Sequence, residues 1–338
     1  MDQFSYLIIG AGGTGGPIGA YLTKAGFDTK LIARGRHLAA MQEHGLSVET
    51  GFAGNYNVPV SAYDMETYLA KLEDTQGPED AESASALRRP DVIFVCVKGY
   101  SLDETIPFIR RAAKPETVVI PILNIYGTGR RLQAELPELC VTDGCIYVSA
   151  NIKAPGVLMM HGSIFRIVYG IPKQPADDRR LLQVAADLEK AGITPVYSGQ
   201  IEKDAMAKFS YVSAQATCGL CFHAEAALMQ EKKEAEHAAQ EADWSTCPRS
   251  MFIELCREIE ALANAEGIHY ETPLWQTNLK ILDGLAPTAS TSMQRDIYAG
   301  KQSEIDGLIY EVVRLSDRYG LSSPAYRMAA EKFRAEGI

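Results

Sequence analysis

From residue 6 onward, short wholly apolar runs alternate with helix-like stretches, the pattern of buried parallel strands joined by helices. Tyr6, Leu7, Ile8 and Ile9 form the first run; a glycine turn and a helical stretch follow, and a second strand stops at Arg34. A helix is predicted near 36–44 and strand-like pieces near 46–60. Residues 71–89, rich in charge, Ser, Gly and Pro, read as a surface excursion. The run 91–97 is unbroken and β-favouring and ends at Lys98, and a further strand over 117–123 ends at Asn124. Strand-like pieces occupy 140–171, including 164–168, and an amphipathic helix covers 178–191. Beyond about 199 strand signals vanish and helical periodicity takes over. Within that region, 223–244 is an alanine-rich, highly charged helical segment, read as a solvated helix or insertion.

The glycine turn carries the first chemistry. Gly10, Gly12 and Gly15 stand in GxGxxG spacing directly after a strand and before a helix. The first permits a tight turn, the second lets pyrophosphate approach the backbone, and the third lets helix pack on strand. Phosphates would then meet a helix N-terminus, where N–H groups and the helix dipole favour negative charge. Pro17 suits a helix start, where its missing N–H is spare. Gly13 and Thr14 complete the candidate cofactor-binding turn. A glycine turn that binds nothing is the alternative. Arg34 lies 19 residues after Gly15, where an NAD site usually carries an acid for the ribose 2′-hydroxyl. An arginine can instead pair with a 2′-phosphate, so NADP(H) is the expected cofactor. Because ligands of open α/β sheets sit beyond the carboxyl ends of the strands, Gly10, Arg34, Lys98 and Asn124 are expected to face one crevice. The fold class is therefore an α/β N-terminal Rossmann-type dinucleotide-binding domain, residues 1–198, followed by an all-α C-terminal domain, residues 199–338.

Composition narrows the partners. The chain has 338 residues, 46% of them hydrophobic, enough for two cores. With 33 Lys and Arg against 43 Asp and Glu, the formal net charge is −10, which disfavours nucleic acid. No basic n-region precedes the first apolar run and no apolar stretch reaches 18 residues, so neither a signal peptide nor a membrane span is expected. Seven scattered cysteines suit a reducing cytoplasm. Cys218 and Cys221 have CxxC spacing beside His223, but no second pair completes a zinc site and the segment reads as helix. They are expected to be structural, with no metal bound.

These residues together resemble the ketopantoate reductase family, NADPH-dependent reductases of an α-keto acid. The resemblance rests on the glycine turn with Arg34 and Gly35, on Val97 and Lys98, on Asn124, and on Pro155, Gly156, His161 and Gly162. It continues through Ala207, Lys208 and Phe209. Most specific are Ser292, Met293, Asp296 and Ile297 running into Ser303, Glu304, Ile305 and Asp306, similar to the family's SMxxD...TEID signature. The resemblance implies that Lys208 is the catalytic lysine, that Glu304 and Ser292 bind or orient the substrate, and that Lys98 and Asn124 lie beside nicotinamide and substrate. The residue types fit: hydride arriving at a keto carbon leaves an alkoxide, which an ammonium can both stabilise and protonate.

The chain departs from the family pattern at three asparagine positions and in one turn. Val212 and Ala216 stand four and eight residues after Lys208, and Ala289 three before Ser292, where the family usually carries asparagines. The turn after the fifth strand reads Asn124, Ile125, Tyr126, Gly127 in place of NGxG. Either the substrate differs from ketopantoate, or Ser213, Gln215 and Thr217 supply substitute contacts. The expected reaction is reduction of a small-molecule 2-keto acid, ketopantoate to pantoate leading, with another keto acid or an opine-type imine as alternative. A non-catalytic NADP(H) sensor is the rival class. A homodimer is left open.

Overall fold

The computed structural model describes residues 3–74, 87–231 and 243–338. Its internal contacts divide the chain into two units, Met1–Leu123 with Gly127–Asp204, and Asn124–Tyr126 with Ala205–Ile338.

The first unit is built on a six-stranded parallel sheet. Its strands are β1 (Ser5–Ile9), β2 (Asp28–Ile32), β5 (Ser61–Tyr63), β6 (Val92–Val95), β7 (Val118–Pro121) and β8 (Cys140–Val141), in the order β5-β2-β1-β6-β7-β8. Successive side chains on a strand point to opposite faces, and here both faces are covered. Tyr6, Ile8, Val92, Phe94, Val118 and Ile120 join one core with Ile18 and Leu22 of helix α1 (Gly15–Lys24) and with Leu181, Val184 and Leu188 of the helix Arg179–Lys190. Leu7, Ile9, Ile93, Val95 and Val119 join a second core with Tyr68 and Leu72 of the helix Met65–Asp74 and Leu102, Ile106 and Ile109 of the helix Leu102–Ala112. Two buried faces are the reason β6 and β7 read as unbroken apolar runs. In the first core the Tyr6 hydroxyl donates to Asp187 Oδ2 at 2.5 Å and Gln183 donates to Oδ1 at 2.8 Å, so the buried carboxyl is not left unsatisfied.

The pieces expected near 46–60 do not extend this sheet. β3 (Leu46–Thr50) and β4 (Tyr56–Val58) belong to a four-stranded sheet with β10 (Ala150–Ala154) and β11 (Val157–Met160), in the order β10-β11-β3-β4. β11 pairs parallel with β3, whereas the other two pairings are antiparallel. β9 (Asp143–Tyr147), β12 (Arg166–Gly170) and β13 (Thr194–Tyr197) form a third sheet, β13-β12-β9. Of the polar stretch 71–89, residues 71–74 end a helix and 75–86 fall outside the described residues. The same holds for 232–242 within the charged segment.

The second unit is helical. Its core takes Met206 and Phe209 from the helix Ile201–Cys221 and Met251, Phe252, Leu255, Cys256, Ile259 and Leu262 from the helix Pro248–Ala265. Arg249, buried in this core, forms a two-bond ion pair with Asp283 at 2.7 and 3.0 Å and also donates to the Met229 carbonyl. A π-turn, Asp306–Tyr310, precedes the helix Glu311–Tyr319.

Glu258 sits on the central helix and caps another. Its carboxyl accepts the backbone N–H groups of Ala325 at 2.7 Å and Tyr326 at 3.0 Å, at the start of the helix Pro324–Ala335. Burial pushes the Glu258 carboxyl up to about 7 from an ordinary value near 4.5. The folded chain therefore holds this proton more tightly than the unfolded one. The stability it adds is full below about pH 4.5 and is lost as pH rises through about 7. Urea unfolding of wild type and Glu258→Gln across that window should show the wild type losing ground to the variant as pH increases. A difference independent of pH would mean the carboxyl is ionised throughout.

Candidate active site

The turn after β1 is shaped by contacts that exclude side chains. Gly10 has φ 95°, and a Cβ there would lie 2.9 Å from the Cys96 carbonyl oxygen and 3.1 Å from Val97 Cγ1. At Gly15, the first residue of α1, a Cβ would run into the Gly10 carbonyl and come within 2.9 Å of both Cys96 Cβ and Ile8 Cγ2. Gly13 is closed off by β10, whose Ala150 carbonyl oxygen lies 2.7 Å from the Cβ position. Gly12 is different, with nothing within 4 Å of that position. Both Gly10 and Ala11 donate their N–H to the last carbonyl of β2, Ile32, at 3.0 Å. Thr14 is the N-cap residue of α1, and its side chain makes no capping bond. The result is a glycine turn with one open face at a helix N-terminus, a cradle of the kind that receives phosphate.

Beside the turn lies a cleft of about 510 Å³ lined by Gly10, Gly12, Arg34 and Lys98, together with His37, Asp64 and Tyr100. Asn124 does not line it and groups with the helical unit. Arg34 is the extended N-cap residue of helix α2 (Gly35–His44), is exposed, and makes no side-chain hydrogen bond or ion pair among the described residues. Its charge is available to a ligand. Asp64 accepts from the Thr67 backbone N–H at 2.7 Å and from the Thr67 hydroxyl at 3.0 Å, and these bonds hold its carboxyl below the usual range. That carboxylate is engaged in capping the helix Met65–Asp74. Cys96, under the turn, has its thiol pushed up by burial.

His37 is a bridge: its Nε2 lies 2.9 Å from the Ala11 carbonyl, and the Gly156 N–H donates to its Nδ1 at 3.0 Å. No local signal reports bonds to residues 26 and 119 positions away.

In the helical unit, Lys208 lies in the first half of the helix Ile201–Cys221 and is half-buried. Ser292 opens the helix Ser292–Tyr298, whose start is held by a capping box. Thr291 Oγ1 accepts the Gln294 N–H and Gln294 Oε1 accepts the Thr291 N–H. Glu304 is only 5% exposed and lies two residues before the π-turn, with its carbonyl accepting the Leu308 N–H at 3.0 Å. Gly307, in that turn, is packed against the side chain of Ile125, next to Asn124.

Ser213 and Thr217 do not supply the substitute contacts considered above. The Ser213 hydroxyl donates to the Leu308 carbonyl at 2.5 Å and shares a 2.6 Å bond with the Tyr326 hydroxyl, while Thr217 donates to the Ser213 carbonyl at 2.8 Å. Both are fully buried and serve the packing of the helices. Ala216 is also fully buried, and Val212 half-buried. Cys218 and Cys221 lie on the helix; Cys218 donates to the Pro248 carbonyl, and burial pushes the Cys221 thiol up to about 12. Among the described residues no group of three or more His, Cys, Asp or Glu is placed to hold a metal, and no helix is long and apolar enough to cross a membrane.

The glycines make a stability prediction. Gly15→Ala forces a methyl into the α1–β1 contact and should cost about 1–3 kcal/mol, whereas Gly12→Ala meets open space and should cost well under 1 kcal/mol. Thermal unfolding of the two variants distinguishes them. Equal melting temperatures would contradict the close packing.

Comparison with known proteins fits this geometry. Residues 6–174 match the family described as ketopantoate reductase PanE/ApbA, and residues 201–336 match its C-terminal region. An uncharacterized oxidoreductase, YkpB of Bacillus subtilis (strain 168), is 25% identical over 320 residues, 94% of each chain. The 2-dehydropantoate 2-reductase of Aquifex aeolicus (strain VF5) is 22% identical over 338 residues, covering 98% of this chain and 97% of that one. Among solved structures, 2-dehydropantoate 2-reductase from Methylococcus capsulatus has a TM-score of 0.78 at 19% identity, covering 98% of this chain and 96% of that chain. D-mandelate dehydrogenase with NADH and anilino(oxo)acetate also has a TM-score of 0.78, at 18% identity and 98% and 97% coverage. These likenesses show the fold, a parallel-sheet Rossmann-like unit followed by a helical one. With both halves of its length matched, the chain belongs to the ketopantoate reductase family, a family of oxidoreductases.

Proposed function

We propose that the protein is an NADPH-dependent reductase that converts a 2-keto acid to the 2-hydroxy acid, with 2-dehydropantoate (ketopantoate) and pantoate as the leading pair. That reaction would be a step of pantothenate and coenzyme A biosynthesis. The observation that carries the reading is Arg34, an uncommitted guanidinium at the rim of a cleft whose other wall is the glycine turn. A 2′-phosphate offers it a charge-assisted partner, and the open face at Gly12 leaves room for the pyrophosphate.

Bound NADPH supplies the hydride. The helical unit supplies the rest. As hydride reaches the keto carbon, negative charge grows on the oxygen, and the Lys208 ammonium stabilises and protonates it. Glu304, almost wholly buried, accepts a substrate hydroxyl or holds Lys208 in place. Ser292 would orient the substrate, and the family resemblance assigns Lys98 and Asn124 to nicotinamide and substrate. The family resemblance supports these roles, and so do the residue types.

One observation favours a second substrate. Val212, Ala216 and Ala289 replace asparagines of the family, and Val212 and Ala289 pack against the apolar core of the helical unit. A 2-keto acid with a more apolar substituent than ketopantoate fits such a wall, and mandelate, the 2-hydroxy acid in the name of one structural relative, carries such a substituent. Following NADPH oxidation across a panel of 2-keto acids that includes ketopantoate decides between the two. Turnover of none of them would remove the reductase reading.

Two variants test the roles. Arg34→Ala should weaken NADPH about ten- to a hundredfold and hardly change NADH, as expected for loss of one charge-assisted contact. Equal losses in a titration of both cofactors would take Arg34 out of phosphate recognition. Lys208→Ala should lower kcat on the order of a hundred- to ten-thousandfold and leave NADPH affinity near that of wild type. Glu304→Gln should raise KM for the keto acid if Glu304 accepts a substrate hydroxyl, or lower kcat if it positions Lys208. Wild-type kcat in Lys208→Ala would make Lys98 the next proton donor to test.

A further inference from the structure

We propose that His37 is a positioning residue for the dinucleotide. As a neutral Nε2–H imidazole it fixes the peptide between Ala11 and Gly12 so that the open face of the glycine turn is presented to the pyrophosphate. This rests on the dinucleotide reading above and adds a residue outside the glycine motif.

The protonation state follows from the partners. A backbone N–H can only donate, so Nδ1, facing the Gly156 N–H at 3.0 Å, must be unprotonated. A carbonyl oxygen can only accept, so Nε2, 2.9 Å from the Ala11 oxygen, must carry the hydrogen. One bond sets the tautomer and the other uses it. The anchor is itself constrained: Gly156 has φ 74°, its Cβ position lies 3.0 Å from Ala40 on α2, and its carbonyl accepts the Ser47 N–H of β3 at 2.9 Å. The β10–β11 turn therefore packs on the same helix that carries His37.

The consequence falls on the turn. Ala11 is held on both sides, its N–H by Ile32 and its carbonyl by His37, and it lies between two glycines whose own backbone preferences are weak. Without the His37 bond the peptide joining Ala11 to Gly12 keeps only the bond of the Gly12 N–H to the Gly10 carbonyl, 2.8 Å and local to the turn, and gains freedom to rotate. Every rotated state must be abandoned before phosphate binds, which lowers affinity for any dinucleotide. The 2′-phosphate does not enter into this, so NADPH and NADH should suffer alike, unlike in Arg34→Ala.

Two amide substitutions separate the two bonds. The side-chain nitrogen of Gln reaches the place of Nε2, whereas the shorter Asn reaches only the place of Nδ1, where its Oδ1 can stand. His37→Gln therefore keeps the Ala11 bond, and His37→Asn keeps an acceptor for Gly156. Fluorescence titration with NADPH and NADH, and urea unfolding without cofactor, are measured for both. We expect His37→Asn to weaken both cofactors about tenfold and His37→Gln to stay within about threefold of wild type, with similar losses of stability in the two. Equal affinities in the two variants, or a loss confined to NADPH, would overturn the positioning role alone. Wild-type protein that binds neither cofactor would overturn the dinucleotide reading and this proposal with it. Nitrogen-15 NMR of the imidazole in the wild type needs no substitution. The Nε2–H tautomer should persist in the NADPH complex, and a cationic or Nδ1–H ring would contradict the proposal.

Discussion

The contact on which the first unit depends is the approach of α1 to β1 and β6, closer than any Cβ allows at Gly10 or Gly15. It brings the helix N-terminus directly over the strand ends, and it is repeated along the helix. A Cβ at Gly16 would lie 2.7 Å from Leu158 of β11, and one at Gly19 would lie 2.8 Å from Leu31 of β2. Three glycines and a proline in ten residues make a poor helix in isolation, with each glycine costing about 1 kcal/mol relative to alanine. Tertiary packing offsets that cost, since Ile18 and Leu22 are fully buried in the core beneath. The helix is weak by propensity because its job requires closeness.

That closeness was legible in the sequence. Strand, glycine spacing, helix and Arg34 follow one another within about thirty residues, and each has a local signal. β6 and β7 of the main sheet were legible for a related reason, because burial on both faces leaves no polar residue to interrupt Val92–Val95 or Val118–Pro121, whereas the short β5 carries no such run. The second sheet was not. It joins β3 to β11 in parallel across more than a hundred residues, and nothing in Leu46–Thr50 distinguishes that partner from a neighbour in the main sheet. His37 was hidden for the same reason: its chemistry is written in partners remote along the chain.

The helical unit carries its candidate residues on elements whose geometry sequence patterns report poorly. Lys208, Ser292 and Glu304 stood out only through resemblance to a family, since a half-buried lysine on a long helix has no local mark. The π-turn after Glu304 has none either. The Leu308 carbonyl within it accepts from Ser213, 95 residues earlier, and Ser213 in turn meets Tyr326, 113 residues later. A serine on the same helix as Lys208 thus reads from sequence as a possible pocket donor and is in fact a tie between three helical segments.

Cys96 lies at the bottom of the glycine turn, with its carbonyl against Gly10 and its Cβ against Gly15, and burial keeps its thiol neutral. Attack by an oxidant or electrophile requires the thiolate, and burial withholds it although Cys96 borders the cleft. The low reactivity of this sulfur is therefore set by its packing against the two glycines, and chemical damage at Cys96 would report any loosening of that packing.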